Sequence, residues 1–214
     1  MPVSYLLGAI PWGYIIPRLS RGIDIRKYGS GNIGMANVLR TVGGRLAGVV
    51  MALDVGKGVL AVLLAWLLTV HSPRAQVVAG VMALIGHDWS VFLRFRGGRG
   101  TAVALGGLLV MAPYAAIVGV AAFVAITLKS RYVSLGSITG AAVGLAAFPV
   151  FAAFGVPNWL GAHSWTYICF AVAAACIIML QHRDNIRRLL RGEERKLGEA
   201  DLISARTEAR ERHE

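Results

Sequence analysis

The strongest constraint on the fold is a set of apolar stretches, several of which are long enough to cross a lipid bilayer. Residues 101–128 carry no charged side chain, and residues 46–70 carry only Asp54 and Lys57. Further apolar stretches are residues 2–17, 75–93, 133–153 and 163–181. Charged residues make up only 15% of the chain, whereas soluble domains carry about 25%. Because a spanning helix needs about 20 apolar residues, the sequence predicts an all-α fold, an integral membrane helical bundle.

The number of spans depends on residues 101–128, which have Pro113 near their middle. This stretch is either one long tilted helix or a hairpin of two short helices that turns at the proline. With a hairpin and an outside N-terminus, only Arg74 among the loop cations lies outside. With one helix, Lys129, Arg131 and the basic C-terminal tail move outside, against the positive-inside rule. We therefore predict seven transmembrane helices, with the N-terminus out and the C-terminus cytoplasmic.

The formal net charge of +11 comes mainly from basic residues outside the apolar stretches. Such charge is typical of cytoplasmic loops beside anionic membrane lipid. No basic soluble domain is visible, so we expect no nucleic-acid partner. No Cys and His residues have metal-ligand spacing, so no metal is expected. Cys169 and Cys176 would lie about 10 Å apart on one helix, too far for a disulfide.

The first polar segment reads YGSGNIGMANVLR over residues 28–40. Gly29, Gly31 and Gly34 match the spacing of a dinucleotide fingerprint, but that fingerprint needs a βαβ unit, and transmembrane segments flank this one. Glycines let the backbone approach a ligand, and free N–H groups can then surround phosphate oxygens. The segment is either an ordinary flexible loop or a phosphate site. The polar side chains that favour a phosphate site are Ser30, Asn32, Asn37 and Arg40.

The second polar segment reads GHDWSVFLRFRGGRGT over residues 86–101. Arg96 and Arg99 flank a glycine pair where a helix is about to begin. A helix N-terminus and a guanidinium group together favour an anion. The alternative is a basic inside loop that only sets topology. His87, taken alone, is more typical of a packed histidine than of a catalytic one.

The third polar segment reads QHRDNIRRLLRGEERK over residues 181–196. On a helix, His182, Asn185 and Leu189 share one face. The arginines of this segment fit a basic helix lying on anionic lipid equally well, but His182 and Asn185 do not. In the span 46–70, Asp54 and Lys57 sit one turn apart, and they are either functional or neutralise each other.

Together the three segments resemble the bacterial acyl-phosphate:glycerol-3-phosphate acyltransferase family. The motifs of that family resemble GSGNIGATNVLR, GHxxPVFLxFKGGKG and HRxNIxRLLxGxExK, and this chain has GSGNIGMANVLR, GHDWSVFLRFRGGRG and HRDNIRRLLRGEERK in the same order. The resemblance covers residues 1–196. It implies a membrane-embedded acyltransferase domain over residues 1–192, and the dense charge of residues 193–214 predicts a cytoplasmic tail.

The reaction implied by the resemblance moves a fatty acyl group from acyl phosphate to the 1-hydroxyl of glycerol 3-phosphate. The products are 1-acylglycerol 3-phosphate (lysophosphatidic acid) and phosphate, the first step of phospholipid synthesis. A peripheral acyl-phosphate synthase would supply the long-chain donor, and membrane lipid is the remaining partner. The resemblance implies no cofactor and an active site that faces the cytoplasm from the bacterial inner membrane.

The motifs and the resemblance together predict two groups of site residues. The predicted catalytic residues are Ser30, His182 and Asn185. The predicted phosphate-binding residues are Gly29, Gly31, Asn32, Asn37, Arg40, Lys57, His87, Gly97, Gly98, Arg99 and Glu194. The general base is either His182 or an oxygen of the donor phosphate.

The chain departs from the family pattern at several positions. Met35-Ala36 replaces Ala-Thr, Ser90 replaces proline, and Arg96 and Arg99 replace lysines. Arginine stays protonated in proteins, so residue 99 is expected to stabilise charge and not to act as a base.

Two other functions compete with the acyltransferase. A transporter for an anionic solute would place polar groups near the bilayer midplane and show repeat symmetry. A lipid-binding scaffold accounts for the basic residues but not for the loop rich in Gly, Asn and Ser.

Overall fold

The computed structural model describes residues 1–158, 160 and 165–198, and every regular element in them is helical. The helices are α1 (Pro2–Ala9), α2 (Trp12–Arg21), α3 (Met35–Val42), α4 (Gly44–Leu68), α5 (Pro73–Asp88), α6 (Thr101–Met111), α7 (Pro113–Ser130), α8 (Val133–Ala153), α9 (Tyr167–Gln181) and α10 (Arg183–Arg191). Short 3₁₀ turns occupy Ile25–Lys27 and Val91–Leu93. The all-helical prediction is confirmed for these residues. The predicted tail lies outside them from residue 199 onward.

The chain is a multi-pass membrane protein with several apolar helices. Among the described residues, four helices are long and apolar enough to cross a bilayer: Gly44–Leu68, Pro73–Leu93, Pro113–Ser130 and Val133–Ala153. The pair α9 and α10, bent by 56°, makes a fifth candidate. This count is lower than the seven spans predicted from sequence because α1, α2 and α6 are only 8, 10 and 11 residues long.

Prolines divide two of the apolar stretches. The stretch 101–128 breaks at Ala112 and resumes as α7 at Pro113, so the predicted break at this proline is confirmed. The N-terminal stretch breaks in the same way between α1 and α2, at Pro11. Proline has no backbone N–H and its ring obstructs the preceding turn, so a new helix starts where it stands. The break at Pro11 leaves the carbonyl of Ile10 able to accept a hydrogen bond from the side chain of Lys57 in α4.

Close contacts between backbones hold the helices together. A Cβ added to Gly119 of α7 would stand 2.8 Å from the carbonyl oxygen of Gly140 in α8, and the reverse distance is the same. Small residues of this kind allow membrane helices to pack tightly. Between α1 and α5, the hydroxyl of Ser90 donates to the carbonyl of Ala9 at 2.6 Å. Serine at this position therefore joins the end of α5 to α1.

The main apolar core lies among helices α4 to α9, and its largest fully buried members are Tyr167 and Phe170. A second, smaller core packs the segment 25–50 together around Ile33 and Val38. It supports the first polar segment against α4. The fold thereby brings the three polar segments to one end of the bundle, where they surround a single cavity.

Candidate active site

One cavity of about 250 Å³ contains residues from all three polar segments. Its polar end is lined by Ser30, Asn32, Asn37, Arg40, Asp54, His87, Arg99 and His182. Its other walls are apolar and come from α6, α7, α8 and α9. The cavity therefore joins a polar compartment to an apolar groove. The structure brings residues of the three polar segments together at its polar end.

Asn37 organises the first polar segment. Its Oδ1 accepts a hydrogen bond from the N–H of Ser30 at 2.9 Å. Its Nδ2 donates to the carbonyls of Tyr28 at 3.1 Å and Asn32 at 2.9 Å, with a longer bond of 3.3 Å to Ile25. Because both ends of the amide bind loop backbone, Asn37 shapes the loop from beneath. It lines the cavity, but its hydrogen bonds are made within the protein.

The loop that Asn37 supports has the open geometry expected of its glycines. Gly29 and Gly31 both have positive φ, 56° and 70°, a region that favours glycine. The Oδ1 of Asn32 accepts from the N–H of Gly34 at 2.8 Å and closes the turn before α3. Ser30 is exposed, and its hydroxyl makes no hydrogen bond to any residue that the structure describes. That hydroxyl is therefore free to contact a ligand.

Lys57 is buried, and its ammonium group is surrounded by partners inside the protein. Its Nζ lies 2.9 Å from the carbonyl oxygen of Ile10 and 2.8 Å from Nδ1 of His87, and it forms an ion pair of 2.9 Å with Oδ1 of Asp54. Lys57 thus neutralises Asp54 and positions His87, and it is not among the residues that line the cavity. The two alternatives for this pair, mutual neutralisation and a functional role, both apply. Asp54 and Lys57 neutralise each other, and Lys57 also supports His87, which lines the cavity.

His87 lines the cavity and is packed on its other side by the glycine pair. Because the ammonium of Lys57 can only donate, Nδ1 of His87 accepts and Nε2 carries the hydrogen. A Cβ on Gly98 would overlap that Nε2 atom. The N–H groups of Gly97 and Gly98 donate to the carbonyls of Asp88 and His87, each at 3.0 Å. Gly98 makes room for the imidazole and Gly97 for the backbone at the end of α5, and the N–H groups of both are used within the loop.

Arg99 follows this loop and reaches the cavity. Burial, together with the positive charges of Arg188 and Arg40, lowers the pKa of Arg99 below its ordinary value, although arginine remains a cation. Among the described residues, its guanidinium makes no hydrogen bond or ion pair. Three guanidinium groups, those of Arg40, Arg99 and Arg188, thus act on one another, and the carboxylates of Glu194 and Asp184 offset part of their charge. The polar end is strongly cationic and suits an anion with more than one charge.

Glu194 holds the third polar segment in place. Its Oε1 accepts from the hydroxyl of Ser134 at 2.7 Å and from Nδ2 of Asn185 at 2.6 Å, and its Oε2 accepts from Nε of Arg188 at 2.7 Å. Burial alone raises the pKa of Glu194, but these three hydrogen bonds outweigh it and lower the pKa below the ordinary value. The carboxylate is ionised and bound to protein groups. It orients Asn185 and Arg188 and does not itself face the cavity.

His182 presents one ring nitrogen to the cavity. It is 2% exposed, and its Nδ1 lies 2.8 Å from the carbonyl oxygen of Ile178. A carbonyl can only accept, so Nδ1 carries the hydrogen and Nε2 keeps its lone pair. The imidazole of His182 is therefore oriented by the backbone carbonyl of Ile178 and not by a carboxylate. Asp184 is largely exposed and pairs with Arg187.

The predicted site residues fall into two groups in the structure. Those that line the cavity are Ser30, Asn32, Asn37, Arg40, His87, Arg99 and His182. Those that support it from behind are Gly29, Gly31, Lys57, Gly97, Gly98, Asn185 and Glu194. The described residues contain no group of three or more His, Cys, Asp or Glu residues that could hold a metal ion.

Sequence reasoning did not place Arg188 in the site, because Arg188 resembles the other arginines of a basic helix lying on anionic lipid. Its position three residues after Asn185 puts the two on the same helix face, and that spacing was the available signal. It also left Asp54 and Ser134 out of the site. Ser134 had no signal, because its role depends on a contact with Glu194, 60 positions away.

The sequence is similar to known acyltransferases over nearly its whole length. A family model described as glycerol-3-phosphate acyltransferase matches residues 1–192. The chain is 47% identical to glycerol-3-phosphate acyltransferase 3 of Dehalococcoides mccartyi over 210 residues, covering 92% of this chain and 94% of that protein. It is also 47% identical to glycerol-3-phosphate acyltransferase 2 of Moorella thermoacetica over 197 residues, covering 92% and 95%.

The fold is similar to that of a solved membrane enzyme. The crystal structure of PlsY (YgiH), an integral membrane glycerol 3-phosphate acyltransferase, in its glycerol 3-phosphate form superposes with a TM-score of 0.80 at 33% identity. The match covers 92% of this chain and 93% of that one. The lysophosphatidic acid form of the same enzyme superposes with a TM-score of 0.77, covering 94% of both chains. Sequence and fold therefore point to the same relatives.

Proposed function

Because this chain belongs to the glycerol-3-phosphate acyltransferase family, we propose that it transfers a fatty acyl group from a long-chain acyl phosphate to the sn-1 hydroxyl of glycerol 3-phosphate. The observation that carries the proposal is the single cavity with a cationic end and an apolar end. Both substrates contain phosphate, and only the donor contains a long apolar chain. One compartment thus suits the phosphates and the other suits the tail.

Phosphate binding falls to the three arginines and the loop 28–34. Arg99 has no hydrogen-bonding partner among the described residues, and Arg188 is held by Glu194 through Nε at 2.7 Å, which leaves its terminal nitrogens for a ligand. Guanidinium groups bind phosphate through paired hydrogen bonds. Arg40 and the open loop around Ser30 complete the anion site from the opposite side.

The acyl transfer needs no covalent enzyme intermediate, because an acyl phosphate is already an activated mixed anhydride. The glycerol hydroxyl oxygen attacks the carbonyl carbon, and the bond from that carbon to the phosphate oxygen breaks. Phosphate leaves with the electron pair. The enzyme aligns the two reactants, and Ser30 with the loop N–H groups stabilises the negative oxygen of the transition state.

The hydroxyl proton has two possible acceptors. One is Nε2 of His182, which has its lone pair because Nδ1 is bonded to the carbonyl of Ile178. The other is an oxygen of the donor phosphate, which stays beside the attacking hydroxyl. Asn185 does not line the cavity, and its Nδ2 is held by Glu194. We therefore assign Asn185 a positioning role, in which it supports His182 and Arg188 from behind the cavity wall.

The membrane topology that fits this function has seven spans and a cytoplasmic site. The short helices α1 and α2 together form one broken span, and α6 forms a short one. The longer helices α4, α5, α7, α8 and α9 supply the rest. The basic ends near Arg94, Lys129 and Arg187 then face the cytoplasm, as the positive-inside rule requires. A peripheral acyl-phosphate synthase on that side would deliver the donor.

Cysteine labelling tests this topology. Cys169 and Cys176 are exposed on the helix surface and are first replaced by alanine. A membrane-impermeant reagent added outside should then label Arg74→Cys and leave Arg187→Cys unlabelled until the membrane is opened. Labelling of position 187 from outside would overturn the seven-span arrangement.

A direct assay tests the reaction. Purified protein in detergent or lipid is given acyl phosphate and glycerol 3-phosphate, and phosphate release is followed together with the mass of the lipid product. Turnover should need neither acyl-CoA nor a divalent metal. Activity with acyl-CoA in the absence of acyl phosphate, or loss of activity on chelation, would refute the proposed donor chemistry.

A further inference from the structure

We infer that Phe170 is the floor of the apolar groove and sets the longest acyl chain that the enzyme accepts. This inference rests on the proposed function, since it assigns the groove to the acyl tail of the donor. The evidence is where the cavity ends, how firmly the ring of Phe170 is held there, and what lies beyond it.

The cavity runs along α9 from His182 to Phe170. These residues are twelve positions apart, or roughly 18 Å along the helix axis. Leu108 of α6, Ala116 of α7 and Leu145 of α8 line the same groove. All four belong to its apolar lining. The tail of an acyl phosphate held by its head group at the polar end would point towards this floor.

Beyond the floor the protein is packed. Met111, Phe148 and Tyr167 are all buried core residues, and none of them lines the groove. They line a separate small cavity of about 30 Å³ instead. The layer that contains Phe170 therefore divides the groove from the outer end of the bundle. No lining residue is shared between the two cavities.

The ring of Phe170 is held in place by the backbones of two helices. A Cβ added to Gly80 of α5 would stand 2.7 Å from its Cε2, and one added to Gly107 of α6 would stand 2.7 Å from its Cζ. The ring thus fills a slot made by two glycines and has 0% of its surface exposed. Its position is set by two helix backbones, which are harder to displace than flexible side chains.

Because the floor of the groove is fixed, the enzyme should discriminate between donors by the length of the acyl chain. Each methylene buried in the groove improves binding by about fourfold, until the tail touches the ring. Further carbons must then overlap packed atoms, and overpacking is unfavourable. Replacing Phe170 with leucine removes part of the ring and deepens the groove without adding a polar group. The next longer chain then fits.

The test compares Phe170→Leu with wild type on saturated acyl phosphates that differ by two-carbon steps. The expected result is a shift of the optimum by one step, with the kcat/KM ratio of longer to shorter chain rising by about fifteenfold. The KM for glycerol 3-phosphate should not change. Phe170→Met is measured alongside, because its flexible side chain can fold away and it serves if the leucine variant fails to fold.

Phe148→Leu is the matched control. Phe148 is a buried phenylalanine of the same core, but it lines only the small outer cavity, so its chain-length profile should equal that of wild type. An unchanged chain-length profile in folded Phe170→Leu or Phe170→Met, or an equal shift in Phe148→Leu, would overturn this inference. The proposed function would then still stand. A wild-type enzyme that uses no acyl phosphate would overturn the proposed function, and this inference with it.

Discussion

Glu194 offers the sharpest test of how the cationic end is built. The glutamate lies beside the proposed phosphate site, where a negative charge by itself weakens anion binding. Its three hydrogen bonds to Ser134, Asn185 and Arg188 indicate the opposite effect, that it holds the binding groups in place. Glu194→Gln separates these effects, because glutamine keeps the size and one acceptor but loses the charge and turns an N–H₂ group towards Arg188.

The expected cost follows from the bond that is lost. Hydrogen bonds to charged groups contribute about 1.5–3 kcal/mol. The side chain of Arg188 is 35% exposed, so solvent screening puts this one at the lower end. A loss of about 1.5 kcal/mol is roughly a tenfold fall in kcat/KM for glycerol 3-phosphate. Most of it should appear in KM, because the phosphate contact proposed for Arg188 is present in both ground and transition states.

The assay is steady-state phosphate release at saturating acyl phosphate with varied glycerol 3-phosphate. Glu193→Gln is the control, since it removes the same charge from the adjacent, exposed position and should leave kcat/KM near wild type. An unchanged or higher kcat/KM in Glu194→Gln would refute the positioning role. It would mean that the carboxylate only repels the substrate.

The same group makes stability depend on pH. Folding lowers the pKa of Glu194 below its ordinary value of 4.5. Its contribution to stability is therefore complete above pH 4.5 and is lost as the pH falls through the lower, folded-state pKa. Thermal unfolding at a series of pH values should show this loss in wild type and not in Glu194→Gln. Equal pH dependence in both proteins would contradict the assignment.

The remaining predictions concern four other residues. Arg99→Ala should cost about 2–4 kcal/mol in transition-state stabilisation, and Arg99→Lys should cost much less, both measured as kcat/KM. If both variants had kcat/KM near wild type, the charge of residue 99 would serve only membrane topology. His182→Ala should mainly raise KM and keep the acidic limb of the pH–rate profile, whereas a lost limb and a kcat lowered by roughly 10²–10⁴ at unchanged KM would identify His182 as the general base. Lys57→Met leaves the carboxylate of Asp54 buried and unpaired and should destabilise the fold by about 3–5 kcal/mol, seen as a large drop in Tm. Gly98→Ala should abolish activity by displacing His87, and an active, stable Gly98→Ala protein would contradict the packing role.

The parts of this molecule that sequence could predict are those with local causes. The break at Pro113 follows from the chemistry of one residue, and the apolar stretches from their composition. The gathering of the three polar segments followed from the resemblance. The roles inside the site were harder, because they depend on distant partners. Lys57 has positive charge and the right neighbourhood for a phosphate ligand, but Ile10 and His87, 47 and 30 positions away, take its donors.

The glycine pair shows the same limit. Gly97 and Gly98 have the composition of a phosphate-binding loop, and only the fold reveals that their N–H groups are bonded to the end of α5. Arg188 shows the converse, since it looked like one more surface charge until its contact with Glu194 was visible. Sequence reasoning therefore predicted residues that lie in and around one cavity, but it could not assign which of them line the cavity and which support it.

The pair of Asp54 and Lys57 also affects how the chain enters the membrane. A charge inside a spanning helix is costly when it crosses the bilayer alone. These two residues are separated by one turn of the same helix, and their ion pair of 2.9 Å needs no other part of the protein. The apolar part of the helix, residues 46–68, therefore carries its own counter-ion and has no net charge to place in the bilayer.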